Sequence, residues 1–515
     1  MELANLWKKE TNCADAQYIK IFDLTSHLSK IEKRMPTKKN NFISKEKIRI
    51  TKSKENIPLR DPALMIDIIK HCDASVRFAE IGSEQLSIAY ENRSKCFYLA
   101  GMFKKCLVDI DLAKNDEKCP KALLPILKRR RRECLHQLRL KGDLEFPPPN
   151  LSFAPHNDIP GFADVLQIQH NDEIGYHVIA KCDIDVGKTV VIEKCFSSYS
   201  SIDQDGCVTC QQVLWNFIPC DKCASVLFCS EDCKKKNLFH VHECGFEWNT
   251  PDINKNVAQT ILIAMSTFST VGSLMEFVET WTADGAEMPV SIHNVKDKYR
   301  MFLKLHKCFA GNLIPHIIVT TAQLSYTYLM QLPSVKEFFP DEPHQRFLMH
   351  LVLKHALVQM NGFSFDQYRK TTMIYSAGSL FNHSCFPNLL NYSYIDLVCI
   401  TKRPINKGEQ LFVKYLDSDL PTPIRQNILR VSYGFDCKCD KCNPCVKPAV
   451  REIIKSNRDY KYMEINQQKD YQDDKTRAVL KRTCENFLNK FGRMPWCPEI
   501  EFIVNLYETY IIHEA

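Results

Sequence analysis

The stretch FNHSCFPNL, residues Phe381–Leu389, places an asparagine, a histidine and a thiol side by side in an otherwise apolar region. The run YSAGSL precedes it, and NYSYIDLVCI, which alternates apolar and polar residues as a strand does, follows it. The chemistry that would need an Asn-His pair just ahead of a thiol depends on two dense groups of cysteines elsewhere in the chain.

The length and composition of the chain bound its class. At 515 residues it is too long for one ordinary core, so we expect three or more domains. Hydrophobic residues make up 45% and charged residues 25%, which is typical of a soluble globular protein. No apolar run approaches the ~20 residues of a membrane span, and charges interrupt the N-terminus before a signal-peptide core can form. We therefore expect an intracellular protein whose 24 cysteines are thiolate ligands or buried thiols rather than disulfides.

Residues 207–244 contain four closely spaced ligand pairs in the segment CVTCQQVLWNFIPCDKCASVLFCSEDCKKKNLFHVHEC. The pairs are Cys207/Cys210, Cys220/Cys223, Cys229/Cys233 and His240/Cys244. Zn²⁺ takes four nitrogen or sulfur ligands in a tetrahedron, and residues a few positions apart reach one ion from a turn or a helix start. Eight ligands predict two closed zinc sites, which would supply much of the folding free energy of so short a segment.

Residues 433–445, YGFDCKCDKCNPC, hold the second cysteine group. Cys437, Cys439 and Cys442 fall within six positions, and three thiolates need a fourth ligand to close a tetrahedral site. Cys445 and Cys385 of the opening stretch are the two candidates. Spacing along the chain favours Cys445.

Three motifs occur in the order found in SET-domain lysine methyltransferases: NHSC followed by PN, then GEQLFVKYLD, then YGFDCKCDKC. The paired cysteines upstream are similar to a MYND finger, so the chain resembles the SET-and-MYND (SMYD) family over roughly residues 160–445. The segment LSIAYENRSKCFYLAGMFKKCLVDIDLAKND looks like a tetratricopeptide (TPR) helix pair with Gly101 at its turn. A TPR-like segment ahead of a SET domain resembles the SET and MYND domain-containing protein 4 branch.

The resemblance implies three zinc sites. Because ligand pairs alternate in a MYND finger, it assigns one ion to Cys207, Cys210, Cys229 and Cys233. A second ion is assigned to Cys220, Cys223, His240 and Cys244. The family also ties the cysteine of NHSC to those that follow the SET domain, which assigns a third ion to Cys385, Cys437, Cys439 and Cys442. This last metal would clamp the following segment onto the cofactor.

The family's reaction moves a methyl group from S-adenosylmethionine (SAM) to a lysine of a histone or non-histone protein, and the resemblance implies this activity here. Tyr415 matches the catalytic tyrosine. A phenol, with a pKa near ~10, is a poor general base at neutral pH, so we assign it to orienting the methyl and the amine and to stabilising the sulfonium. Tyr433 and Phe435 match aromatic positions that wall the lysine channel or stack near the adenine. The positions expected to bind the cofactor are Gly175, Tyr176, Asn361, Ser379, Phe381, Asn382, His383, Tyr433 and Phe435.

One loop departs from the family pattern. The segment EIGYHVIAKCDIDVGKTVVIEK reads as two short antiparallel strands, with the turn DVGK between them. The family usually shows Gly-x-Gly here, which lets the backbone approach the SAM tail, and often a basic residue just before it. In this chain His177 stands in place of the second glycine and Ile174 in place of the basic residue. Both changes weaken the expectation that this loop binds SAM.

We expect an α+β multidomain protein: a β-rich SET fold split by a MYND zinc finger, with helical N-terminal (TPR-like), insert and C-terminal regions. The first half is expected to contain a flexible basic segment (1–60), a TPR-like helical region (61–145), the SET N-terminal part (155–206) and the MYND finger (207–244). The second half is expected to contain a helical SET insert (245–355), the SET C-terminal part (356–433), the post-SET zinc site (434–445) and C-terminal helices (446–515).

Two functions compete at this point. The intact Asn382, His383 and Tyr415 favour a protein-lysine methyltransferase, with a role in transcriptional regulation. The altered loop at Gly175 favours a zinc-dependent scaffold with a weak or inactive SET domain, whose MYND surface binds a proline-containing peptide of a co-repressor or deacetylase.

A formal charge of +7 is small for this length and does not indicate nucleic-acid binding. We expect no membrane partner, a monomer, and a location in the nucleus and cytoplasm; the run KRRRR, Lys128–Arg132, is either a nuclear import signal or a solvated helix face.

Overall fold

The computed structural model describes residues 62–115, 118–143, 149–200, 206–212, 216–246, 248, 252–283, 291–305, 316–364, 371–392, 396–416, 419–467 and 474–512. The basic segment predicted at 1–60 lies outside the described residues.

Four helices begin the described part of the chain: α1 (Pro62–Phe78), α2 (Glu84–Leu99), α3 (Phe103–Asn115) and α4 (Leu123–Lys141). The hydroxyl of Ser83 caps α2 by accepting the N–H of Leu86 at 3.3 Å. Gly101 adopts a φ of 76° in the turn between α2 and α3, a conformation that favours glycine. The helix pair therefore lies where its residues predicted it.

A buried ionic cluster joins this helical bundle to the cysteine-rich segment 207–244, called the finger below. The guanidinium of Arg93 is fully buried and donates to Asp109 at 2.8 Å and to Asp73 at 2.9 Å. It also donates to the carbonyl oxygen of Phe217 at 2.8 Å, and the side chain of Asn216 donates to Asp109 at 2.8 Å. A buried guanidinium is costly unless its N–H groups are satisfied. This cluster therefore specifies how the bundle packs on the finger.

The basic run Lys128–Arg132 lies within α4. Arg130 pairs with Glu91 at 2.7 Å, and their side chains are only 11% and 13% exposed. Arg131 pairs with Asp111 at 2.6 Å. These two arginines thus tie α4 to α2 and α3 instead of pointing freely into solvent.

Short strands form the β-rich part of the molecule. In chain order they are β1 (Leu166–Asn171), β2 (Gly175–Ala180), β3 (Thr189–Lys194), β4 (Ser197–Ser200), β5 (Ile218–Pro219), β6 (Leu227–Phe228), β7 (Phe363–Ser364), β8 (Thr371–Ile374), β9 (Asn382–His383), β10 (Leu389–Tyr392), β11 (Asp396–Thr401) and β12 (Phe412–Val413). They pair in the orders β1-β2, β10-β11-β3, β4-β8-β7 and β12-β9, with β5-β6 inside the finger. Only the β12-β9 pair is parallel among these described strands.

The two antiparallel strands read around the turn DVGK, β2 and β3, do not pair with each other. β2 pairs with β1 instead, and β3 pairs with β11. The residues between them join the loop after β11: Ile184 bridges Ile405, and the N–H of Gly187 donates to the carbonyl oxygen of Thr401 at 2.7 Å. The expected pairing was wrong because β3 takes its backbone partner from β11, a strand distant in the chain that a local turn signal cannot reveal.

Helices make up the finger's second half and the region after it. The finger carries α5 (Glu231–Lys236) and α6 (His240–Glu243). Between the finger and β7 lie α7 (Asp252–Thr267), α8 (Val271–Thr282), α9 (Val295–Lys304), α10 (His316–Leu329), α11 (Pro333–Phe338) and α12 (Glu342–Val358). These helices share one continuous core with the N-terminal bundle, the finger and the strands. The insert is thus helical, as its apolar periodicity indicated.

Helices also follow the last strand. They are α13 (Thr422–Ile428), which continues as a π-helical turn over Leu429–Tyr433, and then α14 (Pro448–Ser456), α15 (Arg458–Asn466), α16 (Asp474–Phe491) and α17 (Pro498–Ile512). The last four form a second core that also takes in Val186, Phe386 and Leu390 of the strand region. The C-terminal helices therefore pack against the segment before β3, the segment after β9 and β10.

Among the described residues, no single helix has both the length and the apolar character needed to cross a membrane. The residues Ile253–Thr267 and Val271–Thr282 meet that test only as a pair, which is bent by 111° at the break.

Candidate functional site

The eight ligand side chains of the finger gather in two clusters. One contains Cys207, Cys210, Cys229 and Cys233, and the other contains Cys220, Cys223, His240 and Cys244. Within each cluster the ligand atoms lie within 4.8 Å of one another. The Sγ atoms of Cys210 and Cys229 are 3.5 Å apart, and those of Cys220 and Cys244 are 3.7 Å apart. Sulfurs around a tetrahedral zinc with bonds of ~2.3 Å lie about 3.8 Å apart, so both clusters fit this ion.

Local turns hold these ligands in place. The Ser230 hydroxyl caps α5 by accepting the N–H of Cys233 at 3.1 Å. The side-chain oxygen of Asn237 accepts the N–H of His240 at 2.7 Å, at the start of α6. The Nε2 atom of His240 then lies 3.3 Å from the Sγ of Cys220 and 3.5 Å from that of Cys223. The ring therefore presents Nε2 to a metal.

A third cluster contains Cys385 together with Cys437, Cys439 and Cys442. The Sγ of Cys385 lies 4.0 Å from that of Cys437 and 3.7 Å from that of Cys442. Cys445 is exposed and lies outside this cluster. Proximity along the chain favoured Cys445, but the fold brings the opening stretch against the segment after α13.

Arg425 on α13 lies against the third cluster, a contact that the motifs did not reveal. Its side chain is 3% exposed, and its Nε donates to the Sγ of Cys385 at 3.3 Å. Its Nη2 approaches the Sγ of Cys442 at 3.7 Å and donates to the Thr422 hydroxyl at 2.9 Å. Four thiolates around a Zn²⁺ ion would carry a net negative charge, which the buried Arg425 guanidinium would compensate. No sequence signal singles out Arg425, because it lies between two motifs and its partners come from elsewhere in the chain.

The parallel pairing of β9 with β12 places Tyr415 beside the Asn-His pair. Phe412 lies opposite Asn382, and Val413 lies opposite His383. Two residues further on, the N–H of Tyr415 donates to Nδ1 of His383 at 2.9 Å. The Tyr415 hydroxyl donates to the carbonyl oxygen of Phe381 at 2.8 Å. Tyr415 is therefore held at both ends: its backbone N–H binds His383, and its phenol oxygen binds the Phe381 carbonyl.

His383 links this tyrosine to the third cysteine cluster. Burial lowers the pKa of His383 to about 4, so the ring is neutral at physiological pH. Since Nδ1 accepts from Tyr415, the single ring proton lies on Nε2. Nε2 faces the Sγ of Cys385 at 3.3 Å. A hydrogen bond from the ring to a metal-bound thiolate is the kind of outer contact that orients metal ligands.

Aromatic rings surround the tyrosine. The ring centroid of Tyr415 lies 5.0 Å from that of Tyr433 and 5.2 Å from that of His383. The ring of Phe435 lies 6.2 Å from His383. Tyr433 and Phe435 flank the third cluster, being partly buried against Cys385 and Cys437. A metal in that cluster would therefore fix the aromatic wall next to Tyr415.

The residues expected to bind the cofactor fall into two groups by exposure. Phe381 is 1% exposed and stacks on Phe162, with 5.6 Å between ring centroids, so its ring belongs to the core and only its backbone faces the site. His383 is likewise buried. The other members are half-buried: Gly175, Tyr176, Asn361, Ser379, Asn382, Tyr433 and Phe435. The parallel pair of β9 with β12 is called the crossing below. Half-buried amide, hydroxyl and aromatic groups around it suit a ligand with both charged and ring portions.

The tip of the β1-β2 hairpin contacts the side chain of Asn382. Gly175 has a φ of 67°, and the side-chain amide of Asn382 donates to the carbonyl oxygen of Ile174 at 3.4 Å. His177, which stands where the family has its second glycine, is 6% exposed, and its Nδ1 lies 2.9 Å from the carbonyl oxygen of Gly175. The imidazole of His177 therefore binds the carbonyl oxygen of Gly175 at the tip. A glycine at position 177, as in Gly-x-Gly, would have no side chain to make this contact.

Asn361 and Ser379 lie on the other side of the crossing. The Ser379 hydroxyl donates to the carbonyl oxygen of Asn361 at 3.1 Å. The side chain of Asn361 donates to the carbonyl oxygen of Val358 at 3.1 Å. The segment at the end of α12 is thus tied to the turn that precedes Phe381.

Comparison with known proteins gives one family match. The sequence model of the SET domain matches residues 175–416 of this chain. The match begins at the first residue of β2 and ends just after Tyr415, and it therefore encloses the finger and the helical insert as well as the crossing.

Among curated proteins, the chain is similar to three SET-and-MYND relatives. It is 25% identical over 289 residues to N-lysine methyltransferase SMYD2-B of Danio rerio, an alignment that covers 53% of this chain and 59% of that protein. It is 22% identical over 316 residues to the SET and MYND domain-containing protein DDB_G0273589 of Dictyostelium discoideum, covering 54% and 81%. It is 22% identical over 474 residues to protein-lysine N-methyltransferase SMYD4 of Danio rerio, covering 73% and 62%. The chain thus spans about three fifths of the two Danio rerio relatives.

Proposed function

We propose that this chain, a SET-domain protein that belongs with the SET-and-MYND proteins, is a SAM-dependent protein-lysine N-methyltransferase. The observation that carries the proposal is the Tyr415 phenol, which is bound to the Phe381 carbonyl oxygen at 2.8 Å and held next to the Asn382–His383 crossing. The substrate is a lysine side chain of a histone or non-histone protein. The half-buried surface around the crossing would take the cofactor.

SAM supplies an electrophilic methyl group on a positively charged sulfur. A displacement at that carbon requires the amine, the methyl and the sulfur to lie in line, so positioning is a main source of acceleration. Because the Tyr415 hydroxyl proton is directed at the Phe381 carbonyl, the phenol oxygen meets the reacting groups as an acceptor. It can orient a neutral amine through an N–H bond and stabilise positive charge near it.

The lysine must lose its proton before it can attack. Tyr433 and Phe435 provide apolar faces beside Tyr415. An aromatic channel disfavours an ammonium, since desolvation lowers the pKa of a lysine. The rings that position the side chain therefore also favour its neutral, nucleophilic form.

The three cysteine clusters would hold three zinc ions. Two would stabilise the finger, whose own core is small, and binding of the ions would contribute to its folding. The third would join Cys385 of the crossing to the segment that carries Tyr433 and Phe435. We assign the ions a structural role, because each cluster supplies four ligands and leaves no open position for substrate.

A zinc-dependent scaffold is the second candidate, and one observation favours it: the His177 ring binds the Gly175 carbonyl oxygen at the hairpin tip, where the family has a glycine. In that case the SET region binds SAM weakly or not at all, and the finger surface takes a proline-containing peptide of a co-repressor or deacetylase.

Under either function we place the protein in the nucleus and cytoplasm, as a monomer.

Calorimetry of SAM with purified, zinc-loaded protein separates the two functions. An enzyme shows a saturable heat of binding, and transfers label from methyl-labelled SAM into proteins of a cell extract. Absence of both signals, with all three clusters loaded, rejects the methyltransferase and leaves the scaffold. Tyr462→Phe removes a phenol oxygen from an exposed side chain of α15, should leave both signals intact, and is the matched control for the change of Tyr415 to Phe.

A further inference from the structure

Glu193 on β3 is a buried acid that none of the motifs includes. Its side chain is 7% exposed. One carboxylate oxygen accepts the N–H of Ala377 at 2.9 Å, and the other accepts the N–H of Gly378 at 2.6 Å. Both donors are backbone groups at the start of a 3₁₀ turn, Gly378–Leu380. The carboxylate therefore binds the chain segment itself, and not a neighbouring side chain.

The segment that Glu193 binds leads directly into the candidate site. Ser379, in the 3₁₀ turn, donates to the carbonyl oxygen of Asn361. Phe381, which follows the turn, supplies the carbonyl oxygen that receives the Tyr415 hydroxyl at 2.8 Å. Asn382 comes next and starts β9. A shift of Ala377 and Gly378 would thus move the anchor of the tyrosine and the cofactor-facing surface together.

The packing around Gly378 shows that the site is built for this contact. A Cβ atom added to Gly378 would collide with the side chain of Leu397 and would lie 3.1 Å from a carboxylate oxygen of Glu193. A side chain at position 378 would therefore crowd both Leu397 and the carboxylate, and glycine leaves room for their close approach. Burial raises the pKa of Glu193, while the N–H groups of Ala377 and Gly378, and more weakly the charge of Lys298, act in the opposite direction. The two hydrogen bonds therefore offset part of the cost of burying the acid, whose pKa stays raised.

We propose that Glu193 is a positioning residue for methyl transfer, which holds residues 377–381 so that the Phe381 carbonyl and the cofactor-facing surface keep their places. It touches neither substrate nor cofactor and acts through the backbone that it binds. The inference rests on the proposed methyltransferase function and names a residue for that reaction which lies outside the motifs.

The test compares Glu193→Gln with a matched control, Glu499→Gln. The first variant keeps the shape of the side chain but turns an NH₂ group toward one backbone N–H. The control removes the charge of an acid that is 3% exposed and pairs with Arg451 at 2.8 Å among the C-terminal helices. We expect Glu193→Gln to weaken SAM binding and lower kcat, each by about ten- to a hundredfold, the equivalent of one charge-assisted hydrogen bond. Glu499→Gln should lower the Tm and leave SAM affinity and kcat near the wild-type values.

Gly378→Ala should displace residues 377–381 by a different route, because the added Cβ collides with Leu397. Hydrogen exchange of the backbone amides measures the resulting loss of order in this segment. In both variants, the amides of residues 377–381 should lose protection, while the zinc content stays unchanged. Equal SAM affinity, equal kcat and equal protection in Glu193→Gln and wild type overturn the proposal, whatever the change in Tm. A wild type that binds no SAM overturns the methyltransferase and the positioning role together. If amide protection is nonetheless lost in Glu193→Gln, Glu193 remains as a packing residue only.

Discussion

Changing Tyr415 to Phe removes one oxygen atom and should separate catalysis from binding. In the structure, that oxygen makes a 2.8 Å hydrogen bond to the Phe381 carbonyl, whereas the Tyr415 N–H bond to His383 belongs to the backbone and survives the change. Loss of one neutral hydrogen bond costs about 1 kcal/mol of folding stability. Loss of a preorganised polar group at the reacting centre costs about 3 kcal/mol in the barrier, or 10²–10³ in rate. The effect on the rate should therefore exceed the effect on stability.

The assay is single-turnover transfer of labelled methyl from SAM into cell-extract proteins, with SAM affinity measured by calorimetry on the same preparations. We expect Tyr415→Phe to slow transfer by about 10²–10³, to keep SAM affinity within about threefold and to retain its zinc. The exposed Tyr462→Phe is the control and should transfer at the wild-type rate. Equal transfer rates for Tyr415→Phe and wild type would refute the role assigned to the phenol. A loss of SAM affinity as large as the loss of rate would instead assign the oxygen to ground-state binding.

The remaining predictions concern metal and pH. Metal analysis should find three zinc ions per chain, one for each cluster. Cys385→Ser should release one ion and weaken SAM binding, whereas Cys445→Ser should release none. The reverse pattern would make Cys445 the ligand. His355 is fully buried between Tyr299 and Thr260, and burial holds its pKa well below the usual value. Below about pH 6.5 the unfolded chain binds a proton at His355 that the native state does not, so stability should fall as the pH is lowered from there. Between pH 7.5 and 5.5, the urea midpoint of wild type should therefore drop more than that of His355→Gln. Any zinc loss that both proteins share cancels in this difference. Equal drops in the two midpoints would contradict a lowered pKa of His355 in the native state.

Ligand chemistry and helical periodicity could be read from the sequence. Zinc ligands are few in kind and closely spaced, so the pairs from Cys207 to Cys244 indicated two metal sites before any fold was known, and the structure brings these pairs into two clusters. The pair α2 and α3 was readable because amphipathic spacing and a turn glycine are local features. The motif around Asn382 and His383 indicated the SET fold, and the match over residues 175–416 agrees with it.

Only the tertiary structure decided which distant residues meet. The hairpin expected around DVGK failed because β3 takes its partner from β11, some two hundred positions later in the chain. Glu193, Arg425 and the tautomer of His383 acquire their roles from backbone groups and thiolates that lie far away in sequence. A residue type and its spacing carry information on local geometry and on possible ligands. Buried charges and ring protons, in contrast, are placed by the partners that folding brings within hydrogen-bonding distance, and these partners leave no periodic signal in the chain.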